Sequence, residues 1–331
     1  VKIVLDAMGG DYAPQVTVEG ALRAARDFGF NIVLVGDKDV IGRELNKYKD
    51  QNSKKNITIV HASETVEMGE SATTAIRRKK DSSIAVAVKL LKEKKADALV
   101  TAGNTGAAVA TVTLNLGLLP QIKRPGIAIV MPTLKGVSLI IDAGANIDPK
   151  PEHLLQYAIM ANIYAQHILK KDNPKIGLLN IGKEASKGTE LIKETYKLLS
   201  SQTGLNFIGN IEGRDMFSGK SDCIVCDGFI GNIGLKICES IAETMVEFLK
   251  KEIGRNLLVR IGAGLCKPAF TALQKEIDYS ECGGAPLLGV DGSCIIAHGG
   301  SNAKAIRNAI KAAKEFVDCK INQHIVGKMS Q

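Results

Sequence analysis

The residues with most chemistry to offer run Cys226-Asp227-Gly228-Phe229-Ile230-Gly231-Asn232-Ile233-Gly234, directly after the apolar pair Ile224 and Val225. A short strand, a glycine-rich turn and a long amphipathic helix are expected there. The first N–H groups of such a helix lack intrahelical acceptors and carry the positive end of its dipole, and glycine lets a phosphate or oxyanion approach closely. Turns of the same type follow other apolar segments: Ala102-Gly103-Asn104-Thr105-Gly106, Asn180-Ile181-Gly182, and His298-Gly299-Gly300-Ser301-Asn302. In an open parallel sheet such turns gather at the carboxyl ends of the strands, where ligands bind.

The groups around these turns are amides, hydroxyls and lysines rather than a nucleophile with its base. The G-x-S-x-G, H-E-x-x-H and G-x-x-x-x-G-K-[ST] patterns are all absent, which removes covalent hydrolase, zinc protease and P-loop readings. What remains is chemistry that holds an anion and stabilises developing negative charge with preorganised donors. Lys187 lies in Gly182-Lys183-Glu184-Ala185-Ser186-Lys187-Gly188 and is expected to follow a strand and begin a helix. There it either holds phosphate as a point charge or is an ordinary surface lysine. Asn104 and Asn232 sit in glycine turns, as ligands or because asparagine tolerates left-handed backbone. Asp6, Gly9, Gly10 and Asp11 make another polar turn, for which packing or capping is the alternative role. His298 donates to an oxyanion or bonds to backbone. Cys223 and Cys226 have C-x-x-C spacing, but residues three apart in a strand face opposite sides and no second Cys/His pair completes a zinc site. No metal and no cofactor is expected.

These turns need strands and helices behind them. Apolar runs of strand length, at 2–6, 32–35, 57–60, 98–101, 127–131, 138–142, 175–180, 206–209, 222–226 and 294–297, alternate with segments of helical period. That is the pattern of a largely parallel sheet covered on both faces, an α/β fold. Pro14 and Pro151 suit the first turn of a helix, and Ser82 or Ser83 suits a helix cap. No repeat, low-complexity tract or linker divides the chain, so residues 1–331 are expected to form a single α/β catalytic domain. Residues 256–288 differ in character, with Leu257, Leu258, Val259, Ile261, Leu265, Ala269, Phe270 and Leu273 apolar beside Lys267, Lys275 and Glu276. They read as an amphipathic helical hairpin, used for core packing or dimerisation, or else for docking among anionic headgroups.

Composition narrows the class. Hydrophobic residues make up 45% of the 331 residues and charged residues 24%, which suits a globular protein and not a disordered one. The net charge of +8 is concentrated at Arg77-Arg78-Lys79-Lys80 and at Lys89, Lys92, Lys94 and Lys95. These clusters are a solvated helix face or a steering surface for an acidic partner. Aromatic residues are only 4%, with no basic interleaving, which argues against nucleic-acid binding. The 7 cysteines show no disulfide framework, and with no secretory segment the expected location is the cytoplasm. The longest apolar stretch, 96–119, is broken by Asp97, Gly103-Asn104, Asn115 and Gly117. It reads as a buried strand and helix rather than a membrane span.

Taken together, Asp6-Ala7-Met8-Gly9-Gly10-Asp11, Arg78-Lys79-Lys80-Asp81-Ser82-Ser83, Gly103-Asn104-Thr105-Gly106-Ala107, Asn180-Ile181-Gly182, Lys187-Gly188, Asp227-Gly228-Phe229 with Gly231-Asn232, and Gly283-Gly284-Ala285-Pro286-Leu287-Leu288-Gly289 closely resemble the bacterial phosphate acyltransferase (PlsX) family. The resemblance implies transfer of a fatty acyl group from acyl carrier protein to inorganic phosphate, giving acyl phosphate for phospholipid synthesis. It also implies a homodimer, and a three-layer α/β/α fold like the isocitrate and isopropylmalate dehydrogenases and the phosphotransacetylases. Catalysis then falls to Lys187 and Asn232. Contacts to phosphate or substrate fall to Asp6, Gly9, Gly10, Asn104, Thr105, Gly106, Gly182, Gly188, Asp227, Gly231 and His298. Two positions depart from the family pattern: Lys183 stands where an acidic residue often follows the glycine, and Gly299-Gly300-Ser301-Asn302 varies a serine-rich, acidic loop. The alternatives are a phosphotransacylase acting on short-chain acyl-coenzyme A, a dehydrogenase of similar architecture, which lacks its G-x-G-x-x-G signature here, and a non-catalytic peripheral membrane protein.

Overall fold

The computed structural model describes residues 1–277 and 283–330. The chain begins with strands and helices in alternation: β1 (Lys2–Asp6), α1 (Gln15–Phe28), β2 (Asn31–Gly36), α2 (Lys38–Asn46), α3 (Gln51–Lys54), β3 (Ile57–His61), α4 (Ala72–Arg78), α5 (Ser83–Lys92), β4 (Ala98–Thr101) and α6 (Thr105–Leu116). A hairpin of β5 (Gly126–Thr133) and β6 (Gly136–Ile141) follows, then α7 (Pro151–His167), β7 (Lys175–Leu179), α8 (Glu190–Ser201), β8 (Asn206–Ile211) and β9 (Cys223–Val225). The described part of the remainder holds α9 (Gly228–Ile253), α10 (Leu257–Leu265), α11 (Lys267–Ile277), the returning strands β10 (Ala285–Leu288) and β11 (Cys294–Ile296), then α12 (Ala303–Asp318) and α13 (Ile321–Met329).

Among the described residues the strands form one 11-stranded sheet in the order β3-β2-β1-β4-β11-β10-β5-β6-β9-β7-β8. Pairing is parallel within β3-β2-β1-β4-β11 and within β6-β9-β7-β8, and antiparallel where β10 meets β11 and β5 and where β5 meets β6. The two parallel blocks therefore run in opposite directions. Both faces are covered, as continuous apolar strands require when successive side chains point to opposite faces. In β1, Ile3 and Leu5 pack with α1 and α12 on one face while Val4 packs with α5 and α6 on the other. In β9 and just beyond it, Cys223 and Val225 join the core under α7, whereas Ile224 and Cys226 face Met131, Leu179 and Met216. Cys223 and Cys226 thus lie on opposite faces, as expected from their spacing.

Several local expectations need correction. The stretch at 256–288 is not helical throughout. Helices α10 and α11 occupy its first part, residues 278–282 lie outside the described residues, and Ala285–Leu288 is the buried strand β10. Pro151 does open α7, but Pro14 is the N-cap residue of α1 rather than part of its first turn. Ser82 occupies the cap position of α5 without capping it; its hydroxyl donates to the Lys79 carbonyl instead. The stretch 96–119 is the buried β4 followed by α6. Among the described residues no helix is long and apolar enough to cross a membrane.

The C-terminal helix is expected to respond to pH. His167, at the end of α7, stacks on His324 of α13 with ring centroids 3.8 Å apart. Burial, then the facing His324 and Lys170, holds the His167 imidazole below the usual histidine range. A histidine depressed in the folded state favours folding above its unfolded value of about 6.5 and loses that contribution as pH falls through it. Urea midpoints are expected to fall between about pH 7.5 and 5.5, and to fall less in His167→Asn. An equal fall in both proteins would remove this pair from the pH response.

Candidate functional site

The residues singled out from sequence are brought together in two groups, at the carboxyl ends of the two opposed blocks of strands. The first surrounds the ends of β1, β4 and β11. Asp6 is buried, and its carboxylate accepts the Thr101 hydroxyl at 2.8 Å and the Met8 N–H at 3.3 Å. Burial pushes this carboxyl up, against the pull of its donors. The Thr101 hydroxyl oxygen in turn accepts the Gly103 N–H at 3.1 Å. A Cβ on Gly9 would stand 2.7 Å from both the Asp6 carboxylate and the Gly103 nitrogen, so only glycine fits where these turns meet. Asp6 therefore sits beneath the turn and holds it, while Gly10 meets the Gly299 carbonyl from the β11 loop.

Asn104 is not in left-handed geometry; it is the N-cap of α6, with φ −55°. Its Oδ1 accepts the Ala107 N–H at 2.9 Å, and its Nδ2 donates to the Met68 and Glu70 carbonyls at 2.7 and 2.9 Å. Thr105 and Gly106 are the first two residues of the helix, and both are exposed. This helix end has a neutral cap and open first-turn residues, which suits an anion. His298 is exposed nearby in sequence to Gly299, and its Nδ1 accepts the Gly300 N–H at 3.0 Å, which puts the ring proton on Nε2.

The second group lies at the ends of β6, β9 and β7. Asp227 is the N-cap of α9, and its carboxylate accepts the Ile230 N–H at 2.8 Å. The Gly228 N–H is taken by the Asn146 carbonyl at 2.8 Å. Two donors of this helix end are thus already satisfied within the chain, and one of them faces a carboxylate. Asn232 belongs to the second turn of α9 rather than to a left-handed turn, and it is exposed. Its side chain lies against Gly144, where an added Cβ would stand 3.5 Å from the Asn232 Cβ and Cγ. A Cβ on Gly231 would stand 2.0 Å from the Asp142 carbonyl oxygen, so α9 rests directly on the end of β6.

Lys187 does not begin a helix. It lies in the loop before α8, whose cap is Thr189. Asn180 at the end of β7 clamps that loop by donating to the Lys187 carbonyl at 3.1 Å, and its Oδ1 would meet a Cβ on Gly188 at 2.4 Å. Gly188 also has φ 91°, in the region that favours glycine. Asn210 on β8 donates to the Glu184 carbonyl at 3.0 Å. Lys183 is 3.9 Å from the buried Asp215, which is also paired with Lys220. Gly182 packs against the Lys187 side chain, with its would-be Cβ 3.2 Å from Cγ. Lys187 is exposed and, among the described residues, makes no ion pair.

One part of this group was not singled out from sequence: the loop Asp142-Ala143-Gly144-Ala145-Asn146. An acidic residue closing an apolar strand just before Ala-Gly-Ala-Asn is an Asx-turn signal that could have found it. The Cys226 thiol, by contrast, is not on offer as a nucleophile. Cys226 is fully buried behind the turn, and burial, then Asp142 and Asp227, push its thiol well above the usual cysteine range. It stays protonated and unreactive.

Residues 1–324 match the family model described as fatty acid synthesis protein. A protein of Dictyoglomus turgidum named phosphate acyltransferase is 50% identical over 98% of this chain and 97% of its own length. Among solved structures, a phosphotransacetylase from Streptococcus pyogenes superposes with a TM-score of 0.65 at 19% identity, covering 96% of this chain and 94% of that one. A 4-hydroxythreonine-4-phosphate dehydrogenase from Klebsiella pneumoniae follows at 0.51 and 14%, covering 96% and 99%. At such identities the two structures speak for the fold alone, a phosphotransacetylase-like and dehydrogenase-like α/β architecture.

Proposed function

This chain belongs to the phosphate acyltransferase family, and from that membership we infer that it moves a fatty acyl group from the thioester of acyl carrier protein to inorganic phosphate, releasing acyl phosphate for phospholipid synthesis. A phosphate oxygen attacks the thioester carbonyl directly, and the thiol leaves. Lys187 holds phosphate, and Asn232 stabilises the tetrahedral oxyanion. Gly182, Gly188, Asp227 and Gly231 shape that part of the site. The turns at Gly9–Gly10 and Asn104–Gly106, with His298, make the remaining substrate contacts, and Asp6 supports them from below. Phosphate is already charged and nucleophilic at neutral pH and a thiol is a good leaving group, so orientation and electrostatics carry most of the rate. The observation that carries this reading is the inventory at the second group: a lysine that makes no ion pair among the described residues and an exposed amide, with the Cys226 thiol buried and held above the usual cysteine range.

The test is thiol release from long-chain acyl-acyl carrier protein with and without phosphate. Release that requires phosphate supports the reading. Release without it indicates a thioesterase, and turnover of short-chain acyl-coenzyme A alone indicates the phosphotransacylase. The exposed basic residues of α4 and α5, Arg77, Arg78 and Lys92, are assigned to docking the acidic carrier. Such rim charges act mainly on association rate. Accordingly, kcat/KM for the carrier is expected to fall about tenfold or more between low and 0.5 M salt while kcat holds; a flat profile would remove this docking surface.

The whole chain acts as one catalytic domain, and the working unit is a homodimer in the cytoplasm that touches the membrane. Helix α9 is 26 residues long, about 39 Å. Its Ile237, Ile241, Met245 and Phe248 recur at helical spacing and are each more than half exposed, an apolar stripe suited to a second copy of the chain. On α10, Leu258, Ile261 and Leu265 make a second exposed stripe suited to a lipid surface. Burying one such side chain is worth about 1.5–3 kcal/mol. Ile241→Asp with Phe248→Asp is expected to give monomers by analytical ultracentrifugation, and Leu258→Asp with Leu265→Asp to abolish sedimentation with anionic liposomes without changing oligomeric state. Dimers in the first variant, or retained liposome binding in the second, would reassign the stripe concerned.

A further inference from the structure

Asp142 closes β6 and is fully buried. Its Oδ1 accepts the N–H groups of Ile127 at 3.0 Å, Gly144 at 3.1 Å and Ala145 at 2.9 Å, and its Oδ2 accepts the Asn146 N–H at 2.6 Å. One carboxylate thus folds the 142–146 loop around itself and ties it to the neighbouring β5. The loop meets α9 through Asn146 and Gly144. The Asn146 carbonyl accepts the first N–H of the helix, and Gly144, at φ 133°, gives the Asn232 side chain its seat. The helix also approaches Asp142 itself. A Cβ on Gly228 would stand 2.7 Å from the Asp142 Oδ2, and one on Gly231 would stand 2.0 Å from the Asp142 carbonyl oxygen.

We propose that Asp142 is a positioning residue for the acyl-transfer step, acting through the 142–146 loop to set where Asn232 stands. The carboxylate reaches no substrate. Its part is to fix the loop, and with it the height and rotation of the first two turns of α9. A donor aimed at a developing oxyanion must be in place before the charge forms, and a displacement of about 1 Å can lower the rate about 10²-fold. The inference rests on the reading of Asn232 as the oxyanion donor.

The experiment is a double-mutant cycle on acyl phosphate formation. In Asp142→Asn the amide cannot accept from the Asn146 N–H at Oδ2, while Oδ1 keeps its donors. Gly144→Ala is the second variant; it leaves the buried carboxylate untouched, but alanine is strained at that φ and crowds Asn232. In a folded variant of either kind, kcat is expected to fall about 10²-fold while KM for phosphate, assigned to Lys187, stays within about twofold. Neither substitution should lower kcat further in an Asn232→Ala background. A further loss there of the same size would overturn the proposal, as would a rise in KM for phosphate with kcat unchanged. Full activity of Asn232→Ala alone would instead overturn the reading beneath it.

Discussion

Lys187→Ala is expected to raise KM for phosphate and to lower kcat/KM for acyl phosphate formation by about 10²–10³-fold, with the melting temperature unchanged. The stability half follows from the surroundings of the residue. Its side chain is exposed and makes no ion pair among the described residues, so truncation is expected to cost no more than about 0.5 kcal/mol. What orders the loop is backbone and neighbouring side chains: the Lys187 N–H donates to the Glu184 carbonyl, Asn180 donates to the Lys187 carbonyl, and Asn210 donates to the Glu184 carbonyl. All of these survive the substitution. The activity half follows from charge. Lys183, four residues earlier, lies by Asp215, whereas Lys187 has no such partner among the described residues and is exposed. Lys187→Arg keeps the charge but changes its shape and reach, and is expected to fall between the two. Near-normal turnover in a folded alanine variant would take Lys187 out of the mechanism.

Gly231→Ala is expected to be the most damaging small substitution in α9, destabilising the chain by about 3 kcal/mol or more. The methyl group would stand 2.0 Å from the Asp142 carbonyl oxygen and 3.0 Å from the Cys226 sulfur. The nearer atom is backbone at the end of a central strand, so it cannot yield as the tip of a flexible side chain would. Gly234→Ala, one turn further along, is the matched control. Its nearest atom would be the Met216 Cε at 3.9 Å, and alanine there gains about 1 kcal/mol of helix propensity. Urea unfolding of the pair should therefore move in opposite directions. Equal effects would mean that the close seat of α9 on β6 does not hold in solution.

The contrast between these glycines shows where sequence runs out. That Asp227 to Gly234 would turn from a strand into a helix was legible, because a short apolar run, a capping residue and a long amphipathic period are all local signals. Which glycine is sterically required was not, since the atom that crowds Gly231 comes from a strand more than eighty residues away. The same applies to the sheet. Its strands were read nearly to their ends, yet β10 was taken as part of a helical hairpin. Ala-Pro-Leu-Leu is short, wholly buried and interrupted by proline, so it has no period of its own. Its pairing with β11 and β5 places it inside the sheet, and the antiparallel pairing of β5 with β6 completes the reversal between the two blocks. The glycine turns do lie at the carboxyl ends of parallel strands, but with the two blocks opposed they fall into two groups. Asn104 and Asn232 were read as turn residues for a related reason. Each precedes or follows glycine, but one caps α6 and the other is already inside α9. Lys187 was placed at a helix start because the apolar period of α8 resumes soon after it; Thr189 supplies the cap instead.

The central claim is that a phosphate oxygen attacks the thioester carbon with no acyl-enzyme in between. Single-turnover reaction of long-chain acyl-acyl carrier protein with phosphate labelled by oxygen-18 at every position, followed by mass spectrometry of the acyl phosphate, tests it most directly. The account predicts a product that retains all the label, its bridging oxygen included, with no acyl adduct on the protein. Acyl phosphate lacking one labelled oxygen, or an acylated protein formed before phosphate is added, would contradict it.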